Sequence, residues 1–197
     1  MSESPTTRLS LLIRLRDTHD RIAWDQFVGL YAPLVYGFAR RKGLQDADAA
    51  DIAQDVLTSV AQQVRQWEYQ PDRGSFRGWL YTIARNRLRN WQASFARRLD
   101  GRGGDAHQES LNGHPQNEPD DEEWDAEYAR QTFHWAARLV REQVSDQTWQ
   151  AFELTAVEGL TGPDVAAELG MTVGAVYLAR SRVMARLKQH IQSIGDD

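Results

Sequence analysis

Apolar residues recur along this chain at three- and four-residue steps, and nowhere do they alternate with polar residues as along a half-buried strand. Leu11, Leu12, Leu15 and Ile22 predict one helical face, and Trp24, Phe27, Leu30, Tyr31, Leu34, Val35 and Phe38 predict a second. Pro33 starts a new turn or kinks that second segment, because it has no amide hydrogen for the helix ladder. Gly43 ends it, Asp46 or Asp48 caps the next helix, and Ile52, Val56, Leu57, Val60 and Val64 form that helix's buried stripe. After a turn-rich stretch from Tyr69 to Gly74, Ser75 caps a long helix running to about Arg98, with Leu80, Ala84, Leu88 and Trp91 facing inward. Apolar periodicity then lapses until Tyr128, Phe133, Trp135, Ala136, Leu139 and Val140, followed by Trp149, Phe152, Leu154 and Val157. The expected fold class is all-α: two small helical domains, residues 9–99 and 126–194, joined by a flexible acidic linker over residues 100–125.

At 197 residues the chain has room for two small cores. It has no cysteine and its five histidines lie far apart, so neither disulfides nor a metal site is expected, and no cofactor is implied. No stretch approaches the roughly 18 consecutive apolar residues of a membrane span, so a soluble, cytoplasmic protein without membrane insertion is expected.

The net charge of -5 is unfavourable for binding phosphates, but its distribution changes the picture. Arg77, Arg85, Arg87, Arg89, Arg97 and Arg98 form a basic block, while Asp105, Glu109, Glu118, Asp120, Asp121, Glu122, Glu123 and Asp125 crowd the segment after it. A ligand responds to the field within a Debye length of roughly 8 to 10 Å, so the basic block is what a nucleic acid would meet.

Three constellations carry chemistry. Asp48, Asp51, Gln54 and Asp55 share one helix face at offsets of three, four and seven, opposite the apolar stripe. That face is either a solvated surface favoured by the helix dipole or a docking surface for a basic partner. The second constellation places Trp67, Tyr69, Phe76, Trp79, Tyr81 and Trp91 among Arg73, Arg77, Arg85, Arg87 and Arg89. Phe76, Trp79 and Trp91 have core packing as their competing role, whereas Arg77, Tyr81, Arg85 and Arg89 form one exposed stripe at four-residue steps. Rings stack on unpaired bases and guanidinium groups meet phosphates, while Asn86 and Asn90 suit base edges. The third is a helix-turn-helix pattern from Leu160 to Leu187, with Gly170 as terminator, Thr172 as cap, and Val176, Val183 and Leu187 inward. A plain helical hairpin is its competing reading. An aromatic, basic helix together with a helix-turn-helix implies contact with melted and duplex DNA at once, as expected of a transcription initiation factor.

With these motifs placed, the chain resembles a bacterial sigma factor of the sigma-70 superfamily, in the extracytoplasmic-function (ECF) group. The resemblance rests on Trp24-Asp25-Gln26-Phe27 with Leu30-Tyr31, on Asp51-Ile52-Ala53-Gln54-Asp55-Val56, on Phe76-Arg77-Gly78-Trp79-Leu80 followed by Ile83-Ala84-Arg85-Asn86, and on the helix-turn-helix. It implies that residues 9–99 are sigma domain two and residues 126–194 sigma domain four. Asp48, Asp51, Gln54 and Asp55 would then dock on the beta-prime clamp of core RNA polymerase. Tyr69, Arg73, Phe76, Arg77, Tyr81, Arg85, Asn86, Arg89 and Asn90 would bind the -10 element. Thr172, Gly174, Ala175, Tyr177, Leu178, Arg180, Ser181, Arg182 and Arg186 would bind the -35 element, with domain four on the beta flap. An anti-sigma factor joins core polymerase and promoter DNA as a candidate partner, and no catalytic residue is implied. Tyr177-Leu178-Ala179 stands where family members often carry a basic residue followed by Ser-Arg, which leaves the -35 sequence open. The alternatives are a stand-alone helix-turn-helix regulator and a protein that sequesters a basic partner. Both leave the aromatic, arginine-rich helix without a task.

Overall fold

The structure is a computed structural model that describes residues 8–65, 76–99 and 122–194. Eight α-helices run through these residues, with no strand among them. They group into two compact units that divide between Gln131 and Thr132.

The N-terminal unit contains α1 (Arg8–Leu15), α2 (Arg21–Arg41), α3 (Asp46–Gln63), α4 (Phe76–Leu99) and the first half of α5 (Glu122–Gln143). Asp20 caps α2 by accepting the Ala23 amide at 3.0 Å, and Arg14 grips the same carboxylate through Nε and Nη2 at 2.7 and 2.9 Å. The Arg14 hydrogen bond, followed by the Ala23 amide, holds the Asp20 carboxyl below the usual carboxylate range. Pro33 sits inside α2 without ending it, and Gly43 follows at φ +90°, where a side chain would be strained. α3 starts differently from expectation. Gln45 is its N-cap and makes no side-chain capping bond, while Asp46 is already helical and accepts the Tyr36 hydroxyl.

Phe27, Leu30, Tyr31, Leu34, Val35 and Phe38 of α2, Ile52, Val56 and Val60 of α3, and Leu80, Ala84 and Leu88 of α4 are all buried, with α3 packed against both α2 and α4. Leu12 and Leu15 of α1 are buried as well, but Ile22, expected on the same face, is exposed because it lies in the first turn of the separate helix α2. Ser75 and its expected cap lie outside the described residues.

The C-terminal unit holds the rest of α5, then α6 (Asp146–Phe152), a π-helical turn (Glu153–Val157), α7 (Gly162–Leu169) and α8 (Val173–Ile194). Ala136, Val140, Phe152, Val183 and Leu187 form one buried cluster, and Ala151, Val165, Ala166, Val176 and Ala179 form another beneath the α7–α8 turn. Phe133 and Val157, read as inward in the sequence, are exposed.

His190 of α8 lies edge-on to Trp135, 3.3 Å from the Gln143 side-chain amide, and its Nδ1 is buried without a partner among the described residues. Burial and the nearby Arg186 charge push its pKa below the ordinary value. A folded state that resists protonation is fully stable above the unfolded pKa of about 6.5 and loses stability as pH falls below it. The melting temperature of this unit is therefore expected to drop between about pH 7.5 and about pH 5.5, and to drop less in His190→Gln; equal slopes would remove the histidine from the account.

Candidate nucleic-acid interface

α4 offers the basic face. Arg89 and Asn90 are exposed, Arg85 and Asn86 are half-buried, and the Arg85 guanidinium lies 6.0 Å from the Tyr81 ring centroid. Arg87 turns the other way and donates from Nη2 to Ser59 Oγ at 2.9 Å, so it ties α4 to α3. Beyond it, Trp91 and Phe95 stack at 5.1 Å with an interplanar angle of 10°.

Two sequence expectations on this helix need correction. Phe76 has no exposed surface: its ring packs 6.1 Å from Phe27, 5.6 Å from Tyr31 and 5.4 Å from Trp79. It closes the core where α4 begins, and no ring face remains for a base. Tyr81 is also buried, between Phe38 at 5.9 Å and Trp124 of α5 at 5.5 Å, so the expected exposed stripe is interrupted. Arg77 Nη2 lies 3.1 Å from the Asp125 carboxylate. Tyr69 and Arg73 lie outside the described residues.

On α3, Asp51, Gln54 and Asp55 are exposed and Asp48 is half-buried, as the offsets implied. Beside Gln54 an apolar groove of about 690 Å³ opens between α2 and α3, lined by Trp24, Val28, Pro33, Tyr36, Ala53 and Leu57 among others. The acidic face thus borders an unfilled apolar surface.

In the C-terminal unit Thr161 caps α7 by accepting the Asp164 amide, and Gly170 at φ +62° ends it in the left-handed conformation. Thr172 Oγ1 accepts the Ala175 amide at 3.2 Å and so starts α8. Val176, Val183 and Leu187 point inward as predicted, joined by Ala179. Gly174, Tyr177, Leu178, Arg180, Ser181, Arg182 and Arg186 are exposed, and Ala175 is half-buried. Tyr177 leans over Gly162, where an added Cβ would come 2.7 Å from its ring, so a glycine at α7's start makes room for the tyrosine. Arg186 is exposed yet committed: its Nη1 donates to the Gln143 carbonyl at 2.7 Å.

Residues 27–99 match the family Sigma-70 region 2. The ECF RNA polymerase sigma factor RpoE of Cereibacter sphaeroides is 31% identical over 191 residues, covering 94% of this chain and 96% of that protein. The chain belongs to the ECF sigma factors. The ECF RNA polymerase sigma factor SigE of Mycolicibacterium smegmatis is 28% identical over 161 residues, which is 82% of this chain and 57% of that one. The solved structure of Rhodobacter sphaeroides SigE in complex with the anti-sigma ChrR aligns over 92% of this chain and 95% of that one, at 28% identity and a TM-score of 0.37.

The region matched in this sigma factor runs from within α2 to the end of α4, so the acidic face and the basic face both belong to it. Its activity is promoter-specific transcription initiation. None of its described helices is long and apolar enough to cross a membrane, and no acid or histidine cluster among the described residues is built to hold a metal.

Sequence reasoning missed the first half of α5. Residues 122–125, expected in the linker, are its first turn; Trp124 there is fully buried and Glu123 and Asp125 are ion-paired. The spacing Trp124, Glu127, Tyr128, Gln131 was the available signal, hidden by the acidic composition around it.

Proposed function

We propose that this sigma factor binds core RNA polymerase through the acidic α3 face and the adjoining α2–α3 groove, recognises and melts the -10 element with α4, and reads the -35 element with α8. In this reading residues 9–99 act as domain two and the helix-turn-helix unit as domain four. Its partners are core polymerase, promoter DNA and an anti-sigma factor, and it acts as a specificity subunit, with polymerisation left to the core enzyme. The observation that carries the reading is the pairing, within one matched region, of an exposed acidic face on α3 with Arg85, Asn86, Arg89 and Asn90 along α4. A carboxylate face borders an apolar groove as a protein interface requires, with apolar contact at the centre and charge at the rim. Guanidinium groups along one helix face suit a phosphate backbone, and side-chain amides suit base edges. On α8, Arg180 and Arg182 supply phosphate contacts beside Tyr177 and Leu178, whose apolar surface fits thymine methyl groups.

The deciding experiment is gel filtration with purified core polymerase, followed by run-off transcription of genomic fragments. Co-elution with new, promoter-specific transcripts is expected. Duplex binding retained without either would sink the assignment in favour of a stand-alone regulator.

A further inference from the structure

The first half of α5 is built to fit the surface it covers. Trp124, Glu127, Tyr128 and Gln131 recur at helical spacing and face α2 and α4. The Trp124 ring meets Phe38 edge-on at 5.2 Å and lies 5.5 Å from Tyr81. Three ion pairs surround it: Lys42 Nζ to Glu123 at 2.7 Å, Arg41 Nε to Glu127 at 3.0 Å, and Arg77 Nη2 to Asp125 at 3.1 Å. The Arg77 guanidinium also lies 5.2 Å from the Tyr128 ring centroid. Glu127 is buried and accepts Arg130 Nε at 3.1 Å and Gln131 Nε2 at 2.7 Å. It reaches that position because residue 37 is glycine. A Cβ there would come 2.0 Å from Glu127 Oε1 and 3.3 Å from Arg130 Nη2.

The segment thus places carboxylates against cationic side chains and an indole against aromatic rings. Single-stranded DNA would bring phosphates and bases to the same groups. We propose that Glu122–Gln131 is an acidic internal strap that occupies the Arg77–Tyr81 end of the α4 surface, and that it competes with the -10 single strand and must lift before Arg77 and Tyr81 can be used. This rests on the reading of α4 as the -10 interface. The strap is suited to lifting. The Lys42–Glu123 and Arg77–Asp125 pairs are partly exposed and screened by salt, and Trp124 Nε1 is buried without a partner among the described residues, which takes away from the gain of burial.

The test uses the full chain and a labelled single-stranded oligodeoxynucleotide carrying the non-template -10 sequence of a promoter found by run-off transcription. Binding is read by fluorescence anisotropy, and hydrogen exchange is followed at residues 124–131. Trp124→Ala with Glu127→Ala removes the strap's anchors. Gly37→Ala displaces Glu127 while touching no residue assigned to DNA, and alanine keeps α2 helical, so it carries the test if the double variant fails to fold. If the strap is closed about nine-tenths of the time, opening it tightens binding about tenfold. Expected are tighter binding in both variants and faster exchange at 124–131 when the oligonucleotide is added to the wild type. Unchanged affinity in the strap variants, with weaker binding in Arg85→Ala plus Arg89→Ala, overturns the strap and leaves the α4 reading standing. Affinity unchanged in both sets overturns the α4 reading, and the strap with it.

Discussion

Replacing Arg85 and Arg89 together by alanine is expected to leave the sigma factor folded and bound to core polymerase while reducing open-complex formation by about tenfold or more. Each guanidinium lost from a phosphate contact removes a charge-assisted hydrogen bond, worth about 1.5 to 3 kcal/mol, and about 1.4 kcal/mol already corresponds to a factor of ten. Arg89 is exposed, so its loss should leave the fold intact, and circular dichroism of the Arg85→Ala single variant checks that the half-buried Arg85 can be removed as well. Core binding should survive because the acidic face lies on α3. Permanganate reactivity of -10 thymines, read beside co-elution with core, separates the two steps; normal reactivity would remove these arginines from melting. Arg87→Ala is the instructive contrast. That guanidinium serves Ser59, so its loss should show first as lower thermal stability.

The second large effect belongs to Phe76. Its ring fills the contact between α2 and the start of α4, and truncating a buried phenylalanine costs about 3 to 5 kcal/mol, a large part of a small domain's stability. Phe76→Ala is expected to unfold the N-terminal unit or lower its melting temperature by many degrees, with loss of transcription following from that. Phe76→Leu keeps most of the buried volume and should retain both fold and promoter melting. If the ring were a stacking platform for a base, leucine would fold normally and fail to melt the promoter, an outcome that circular dichroism and permanganate footprinting together would expose.

The helices themselves were largely legible in the chain. Phe27 to Phe38, then Ile52, Val56, Val60 and Val64, and Leu80 to Leu88 are buried where their spacing placed them, while Leu57 and Trp91 of the same stripes are half-buried. Thr161 caps α7, and Gly170 and Thr172 bound the turn between α7 and α8 as their chemistry implied. These are local matters. Burial periodicity and capping depend on residues within one or two turns of each other, so a linear reading contains what it needs. The acidic face of α3 was readable for the same reason, since offsets of three, four and seven place side chains together whatever else packs nearby.

The tertiary structure decided which of the readable features remain open to a partner. Phe76 and Tyr81 carry ring chemistry suited to bases, yet one is consumed by Phe27 and Tyr31 and the other is covered by Phe38 and, while the strap is closed, by Trp124. Arg87 and Arg186 look like phosphate ligands in the chain, and each is held by a residue at least 28 positions away. Residues 122–125 carry the composition of a linker, and they fold because Phe38, Lys42 and Arg77 supply a surface that repays the entropy of ordering them. The sequence alone determined most of the helices, the caps of α7 and α8 and the family, because those follow from short-range spacing and motif order. Whether a given ring or charge is spent inside the molecule or left for DNA was settled only by contacts between helices far apart in the chain, where burial and charge pairing outweigh local preference.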